Sequence, residues 1–179
     1  MSSKLPVSLR LCAALFAISS ACSPSLPPGV PANDARPPLF NKLDGNWIAT
    51  GQVEGESVTY AISVSPALGC TFSQLHMLHT GTPPAYEALV FLGTDSTKTK
   101  VFAHWLDTFG GAFSVPHGEG FISGDTIAFT IPYSHILFLD RFVYHPGDDS
   151  WTLDIDAKAD GVERKNFASY RLVRTNRFP

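Results

Sequence analysis

Apolar and polar residues alternate along much of the chain beyond residue 42, with the period of two that sends successive side chains to opposite faces of a strand. Trp151, Leu153 and Ile155 share one face, against Thr152, Asp154 and Asp156 on the other. Val58, Tyr60, Ile62 and Val64 alternate in the same way with Thr59, Ala61 and Ser63. Turn-forming groups punctuate the pattern, among them Glu54-Gly55-Glu56, Gly81-Thr82-Pro83-Pro84, Gly93-Thr94-Asp95-Ser96 and Ser123-Gly124-Asp125. Ten short strands are predicted between such signals, over 43–53, 57–64, 70–79, 86–92, 98–107, 112–118, 126–131, 136–144, 151–159 and 166–174. No interior segment sustains a helical period, so the regular spacing points to an antiparallel all-β fold.

Other runs are apolar on both faces, as in Ile136-Leu137-Phe138-Leu139. Such a strand needs cover on each side or lines an apolar cavity, and the many Phe residues supply much of that bulk. Closing the sheet on itself removes its exposed edges. The preferred architecture over residues 39–179 is therefore an up-and-down β-barrel of about 8–10 strands, with a sandwich as the alternative. A domain of this length buries roughly two-thirds of its surface and needs no staple.

The N-terminal pattern differs. Lys4 and Arg10 precede the apolar run Leu11–Ile18, and Ser19-Ser20-Ala21-Cys22 follows with small residues. This is the layout of a secretory signal peptide over 1–21, too short in its apolar part to span a bilayer. A cut after Ala21 leaves Cys22 as the new N-terminus, which resembles the bacterial lipobox and implies a lipidated Cys22. Ser23 after it resembles an outer-membrane sorting signal. From Ser23 to Pro38 the chain holds six prolines and almost no large apolar residues, which predicts a disordered tether over 22–38. At about 3 Å per residue it reaches roughly 40–50 Å. The expected location is the periplasmic side of the outer membrane.

With Cys12 removed and Cys22 lipidated, Cys70 is expected to stand alone as a small buried hydrophobe. Losing Lys4 and Arg10 leaves eleven basic against sixteen acidic side chains, a net charge of −5. No basic cluster marks a nucleic-acid surface. Oligomeric state is not legible.

Gly45-Asn46-Trp47 opens the first predicted strand and Tyr170-Arg171-Leu172-Val173-Arg174 closes the last. This resembles the lipocalin-like (calycin) barrels, in which a Gly-x-Trp packs under a basic residue of the final strand. The resemblance implies that Trp47 plugs the narrow end beneath Arg174 or Arg171, whose opposite faces allow only one of them. Across the domain, Tyr86-Glu87-Ala88, Leu92-Gly93-Thr94-Asp95, Ala103-His104-Trp105-Leu106-Asp107, Phe109-Gly110-Gly111 and Phe167-Ala168-Ser169-Tyr170 follow in order. Together they look like a family of uncharacterised bacterial secreted proteins with lipocalin-like domains. That family implies a fold and no activity.

Candidate chemistry is sparse. His76, His79, His104, His117, His135 and His145 include no His-x-His or His-Glu-x-x-His, and no metal is expected. Gly45-x-Trp47-x-Ala49-x-Gly51 is similar to the opening of nitrobindin-type haem barrels. Ala49 replaces a glycine there, and no histidine follows His145 to serve as proximal ligand. Ser134-His135 and the pair His104 and Asp107 are triad fragments without a nucleophile elbow. Asp154 and Asp156 lie on a solvated face, and Asp107 is positioned to cap the Thr108–Gly111 turn. No catalytic residue and no cofactor is expected. The reading that remains is a barrel binding one small, mostly apolar ligand. Its expected lining is Phe72, His76, Tyr86, His104, Trp105, Asp107, Phe138, Phe142 and Tyr170. A filled barrel acting as an envelope interaction module is the alternative, followed by a haem barrel or an enzyme.

Overall fold

A computed structural model describes residues 36–133 and 135–176. The signal segment, Cys22 and the tether as far as residue 35 lie outside them. The short helix α1 (Pro38–Leu43) leads into ten strands: β1 (Gly45–Val53), β2 (Glu56–Ala67), β3 (Phe72–His79), β4 (Glu87–Thr94), β5 (Lys100–Asp107), β6 (Gly118–Ser123), β7 (Thr126–Tyr133), β8 (Ile136–His145), β9 (Ser150–Ala159) and β10 (Val162–Arg174). Each strand pairs antiparallel with the next, and β1 pairs with β10 to shut the ring. The fold is a closed up-and-down barrel of ten strands. No edge is left unpaired around that ring.

Register turns the alternating pattern into an inside and an outside. Trp47 and Ala49 of β1 face inward beside Ile62 and Tyr60 of β2, and beside Arg174 and Leu172 of β10. Trp151, Leu153 and Ile155 of β9 line the same interior. Thr152, Asp154 and Asp156, which alternate with them, face out.

One end is sealed. Pro37 and Pro38 set the extended entrance and first turn of α1, whose Phe40 and Leu43 are wholly buried. The indole N–H of Trp47 donates to the Leu43 carbonyl at 2.8 Å, and that of Trp151 to the Lys42 carbonyl at 3.4 Å. Arg174 lies over the Trp47 ring, 4.1 Å from its centroid, and donates to the carbonyls of Asp44 (2.8 Å) and Lys42 (3.2 Å). Its Nε donates to Asp149 at 2.6 Å. These bonds satisfy carbonyls that the end of α1 leaves without helical partners. Gly45 is required here on two counts: its φ is +125°, and a Cβ would meet the Arg174 guanidinium. Arg171 instead faces out to Asp148.

Arg36, expected in the tether, is folded into this end. It is 5 % exposed, with its guanidinium forked onto Asp44 at 2.8 and 2.9 Å and donating to Ser73 Oγ at 3.0 Å.

Four sequence expectations need correction. Leu43 ends α1 rather than opening β1. Residues 112–118 are not a strand. Gly110 at φ +94° feeds a 3-10 turn, Gly111–Phe113, and an irregular stretch follows until β6 begins at Gly118. Pro116 lacks the N–H a ladder would need. Cys70 sits in the turn between β2 and β3 at φ +63° rather than in a strand. It is also disulfide-bonded, where a lone thiol was expected.

Arg174→Ala removes the stacking and the carbonyl contacts together, and is expected to cost about 1–2 kcal/mol in urea unfolding. Arg171→Ala, an exposed ion pair, should stay within about 0.5 kcal/mol.

Candidate functional site

Exposure of the inward-facing side chains changes along the barrel. Toward the sealed end Trp47, Leu92, Val101, Trp151 and Leu172 are inaccessible. At the other end Val53, Val58, Tyr86, Tyr133 and Phe138 point into the same interior but are only half-buried. Between them Tyr60, Trp105, Ile155, Ala157 and Tyr170 retain 5–9 % exposure. The inward-facing side chains are therefore partly accessible at one end, the cup, which is mostly aromatic, and sealed at the other.

Two arcs of rings make the wall. One runs from Tyr170 to Tyr60 (5.6 Å between centroids), Tyr86 (5.9 Å) and Phe109 (5.9 Å), then to Phe113 (6.3 Å). The other runs from Phe167 to Phe138 (5.1 Å) and Tyr133 (5.7 Å). Most of these contacts are edge-to-face, the arrangement that ring quadrupoles favour. Phe167 reaches Phe138 because β10 bulges between Arg164 and Ala168, with Asn166 at φ +56° and its N–H on Asp156 Oδ1 at 2.8 Å. Phe109 and Phe113 belong to the irregular stretch between β5 and β6, and both are exposed. Phe109, against Tyr86, brings that stretch to the rim.

Polar groups enter the cup at two places. At the rim Trp105 Nε1 donates to the Tyr86 hydroxyl (2.9 Å), which donates to Asp107 Oδ2 (3.1 Å). Asp107 Oδ1 accepts the Phe109 N–H (2.9 Å), so the carboxylate caps the turn at the rim. Burial holds the Tyr86 phenol well above its ordinary value, Trp105 opposing and Asp107 adding to it.

Asp140 is deeper. On β8 it shares a face with Phe138 and Phe142, and its cross-strand neighbours are Phe129 and Ile155. It is 2 % exposed, and its Oδ1 has no hydrogen-bond partner among the described residues. Burial pushes its carboxyl from 3.8 up to about 8. Its charge is felt by Tyr133, pushed up to about 12 by burial, Asp107 and Asp140, and by Tyr170, raised by burial, Tyr60 and Asp140.

Of the residues expected to line a site, Tyr86, Trp105, Asp107, Phe138, Phe142 and Tyr170 face inward. Phe142 lies below the cup and is fully buried. Phe72, His76 and His104 face outward, and cannot line the interior. The alternation in β3 and β5 assigns the interior to Leu75 and Met77 and to Ala103 and Trp105. Phe72 lies across Gly93 on the outer wall, where a Cβ would meet its ring. His76 Nε2 is 2.7 Å from Glu87. His104 lies 5.8 Å from the His117 ring in a shallow outer cleft of about 250 Å³. His104 and Asp107 are on opposite faces, so the triad fragment is not assembled. Asp154 accepts Ser169 Oγ–H at 2.7 Å on the outer surface. Among the described residues no cluster of three or more His, Cys, Asp or Glu could hold a metal ion.

Sequence reading missed Asp140, Tyr60, Tyr133 and Phe167. One signal for Asp140 was present: an acid inside the run Ile136–Val143, where the remaining positions are apolar except Arg141. Because that run is apolar on both faces, its inward side could not be told from its outward one.

No protein-family model matches the chain, and no curated protein matches it.

Between pH 4 and 8 the folded protein holds a proton on Asp140 that the unfolded chain has lost, so this group makes stability fall as pH rises through that window. Asp140→Asn removes the dependence. At pH 8 the variant should be more stable than the wild type by on the order of a few kcal/mol, since each pH step of one across the window contributes about 1.4 kcal/mol. Near pH 4 the two should converge in thermal unfolding followed by circular dichroism.

Proposed function

We propose that this is an exported envelope barrel whose cup holds one small, mostly apolar ligand without converting it. Ligand sites are typically concave and apolar, with a few polar groups that fix orientation, and the mouth has this composition. The observation that carries the reading is Asp140. A buried polar atom without a partner costs roughly 1–3 kcal/mol, and a ligand group beside it would supply the missing bond. Phe109 and Phe113 add exposed apolar surface beside the rim, next to Tyr86. The lipocalin-like resemblance of Gly45-Asn46-Trp47 belongs to the same reading.

The exposure of Phe109, Phe113 and Val115, at 70, 56 and 80 %, favours a second reading, in which these residues contact a partner protein. Native mass spectrometry of the exported protein with its N-terminal segment kept, prepared from the envelope and again after incubation with envelope lipid extract, separates the two. A stoichiometric adduct lost in Phe109→Ala/Phe113→Ala, with unchanged melting, is the expected result. A bare mass in both preparations would overturn the carrier reading for envelope lipids and leave the partner surface.

The lipid anchor at Cys22, on the periplasmic side of the outer membrane, is part of the proposal. Cys12 and Cys22 are the other cysteines of the chain, and a Cys22 sulfur committed to a thioether is closed to Cys70. The membrane-extracted protein is expected to give an acylated N-terminal peptide beginning at Cys22. A peptide joining Cys22 to Cys70 would exclude the anchor and describe an exported barrel without one.

A further inference from the structure

The buried charge of the cup is of one sign. Its inward-facing acids are Asp107 and Asp140, with the phenols of Tyr60, Tyr86, Tyr133 and Tyr170 around them and His79 at the mouth. Arg36 and Arg174 face the interior at the sealed end, where Asp44 and Asp149 neutralise them. His79 presents its ring to Tyr60, and its Nδ1 accepts the Gly81 N–H at 3.1 Å. Arg164 stands across from Ala157 on the inward side of β10 at the mouth, exposed and 3.6 Å from Glu54, and Lys165 lies in the neighbouring bulge. No described Lys or Arg reaches Asp140, whose carboxyl is perturbed by burial alone.

Resting on the reading that the cup binds a ligand, we infer that this ligand is a lipophilic ammonium: an apolar body carrying a protonated primary or secondary amine seated between Asp140 and the tyrosines. Three observations meet in that assignment. Asp140 Oδ1 is a buried acceptor with nothing to accept from among the described residues. The rings around the cup carry negatively polarised faces, over which an organic cation gains roughly 0.5–2 kcal/mol per contact. Asp107 at the rim is already committed through both oxygens to Tyr86 and the Phe109 N–H, so it contributes field while Asp140 contributes the bond. As the ion pair forms, the Asp140 carboxyl gives its proton to solvent and its carboxylate accepts from the ammonium. An uncharged alcohol would satisfy one oxygen and leave the charge preference unused. A carboxylate beside Asp140 would meet an acid and no cation.

Three ligands with one chain length separate these cases: octylammonium, 1-octanol and octanoate, titrated calorimetrically at pH 7 into the exported protein with its N-terminal segment kept. The wild type is expected to bind octylammonium at least about tenfold more tightly than octanol, with octanoate weakest. In Asp140→Asn the preference should shrink to within about twofold while octanol binding persists, with melting measured alongside as the control for folding. Octanol or octanoate binding as tightly as octylammonium would overturn the inference and leave the binding proposal standing. A preference kept in Asp140→Asn but lost in Asp107→Asn would overturn the assignment to Asp140. Absence of binding by all three also overturns it, and in a protein that stays bare in the mass measurement it ends the binding proposal too.

Discussion

Pairing of the first strand with the last is the constraint from which the remaining structure follows. Nine neighbouring strand pairs can form from sequence-adjacent segments, but β1 and β10 must find each other across the length of the domain. Loop closure over that span is entropically costly, and backbone hydrogen bonds alone are a weak guarantee of register. The register is pinned by the cluster at the seam. Trp47 lies opposite Arg174, the guanidinium covers the indole, and both bond to the last carbonyls of α1. A slip of one residue would turn Trp47 outward and take Arg174 off its ring. Closure therefore fixes which residues are inside all the way round, including those at the mouth.

Sealing and opening are assigned to different ends by side-chain size. The sealed end has two buried tryptophans, a phenylalanine and the leucine of α1. A ten-stranded ring is wider than an eight-stranded one and needs more bulk to fill it. The mouth has rings too, but they meet edge-on around the wall, and the acid set below them, Asp140, finds no partner for its Oδ1 among the described residues. That combination explains why the interior is apolar by composition and still not a uniform core. Asp140 is a cost in the free protein, retained at a position where an apolar residue would pack.

How far fold and site were legible in the chain depends on local contrast. Strict alternation in β9, with Trp151, Leu153 and Ile155 against Thr152, Asp154 and Asp156, marked both strand and face. The Gly45–Trp47 and Tyr170–Arg174 segments marked the seam, because a glycine next to a tryptophan and an arginine at a strand end have few uses. Elsewhere contrast was lacking. Phe72, His76 and His104 are bulky or polar residues of central strands, and size alone does not say which way a side chain points. The segment 112–118 contains Phe, Val and Ser, which suit a strand, but Gly110 and Pro116 break the ladder on either side. Tyr60 and Tyr133 gather at the mouth through a closure linking residues far apart in the chain, which no local pattern reports.

Arg36 and Arg174 both lie at the sealed pole, one where the described chain begins and the other near where it stops. Both ends of the described chain therefore lie on the side opposite the cup. A bead or reporter joined directly at residue 36 or residue 176 would hang from the closed pole and leave the opening unobstructed.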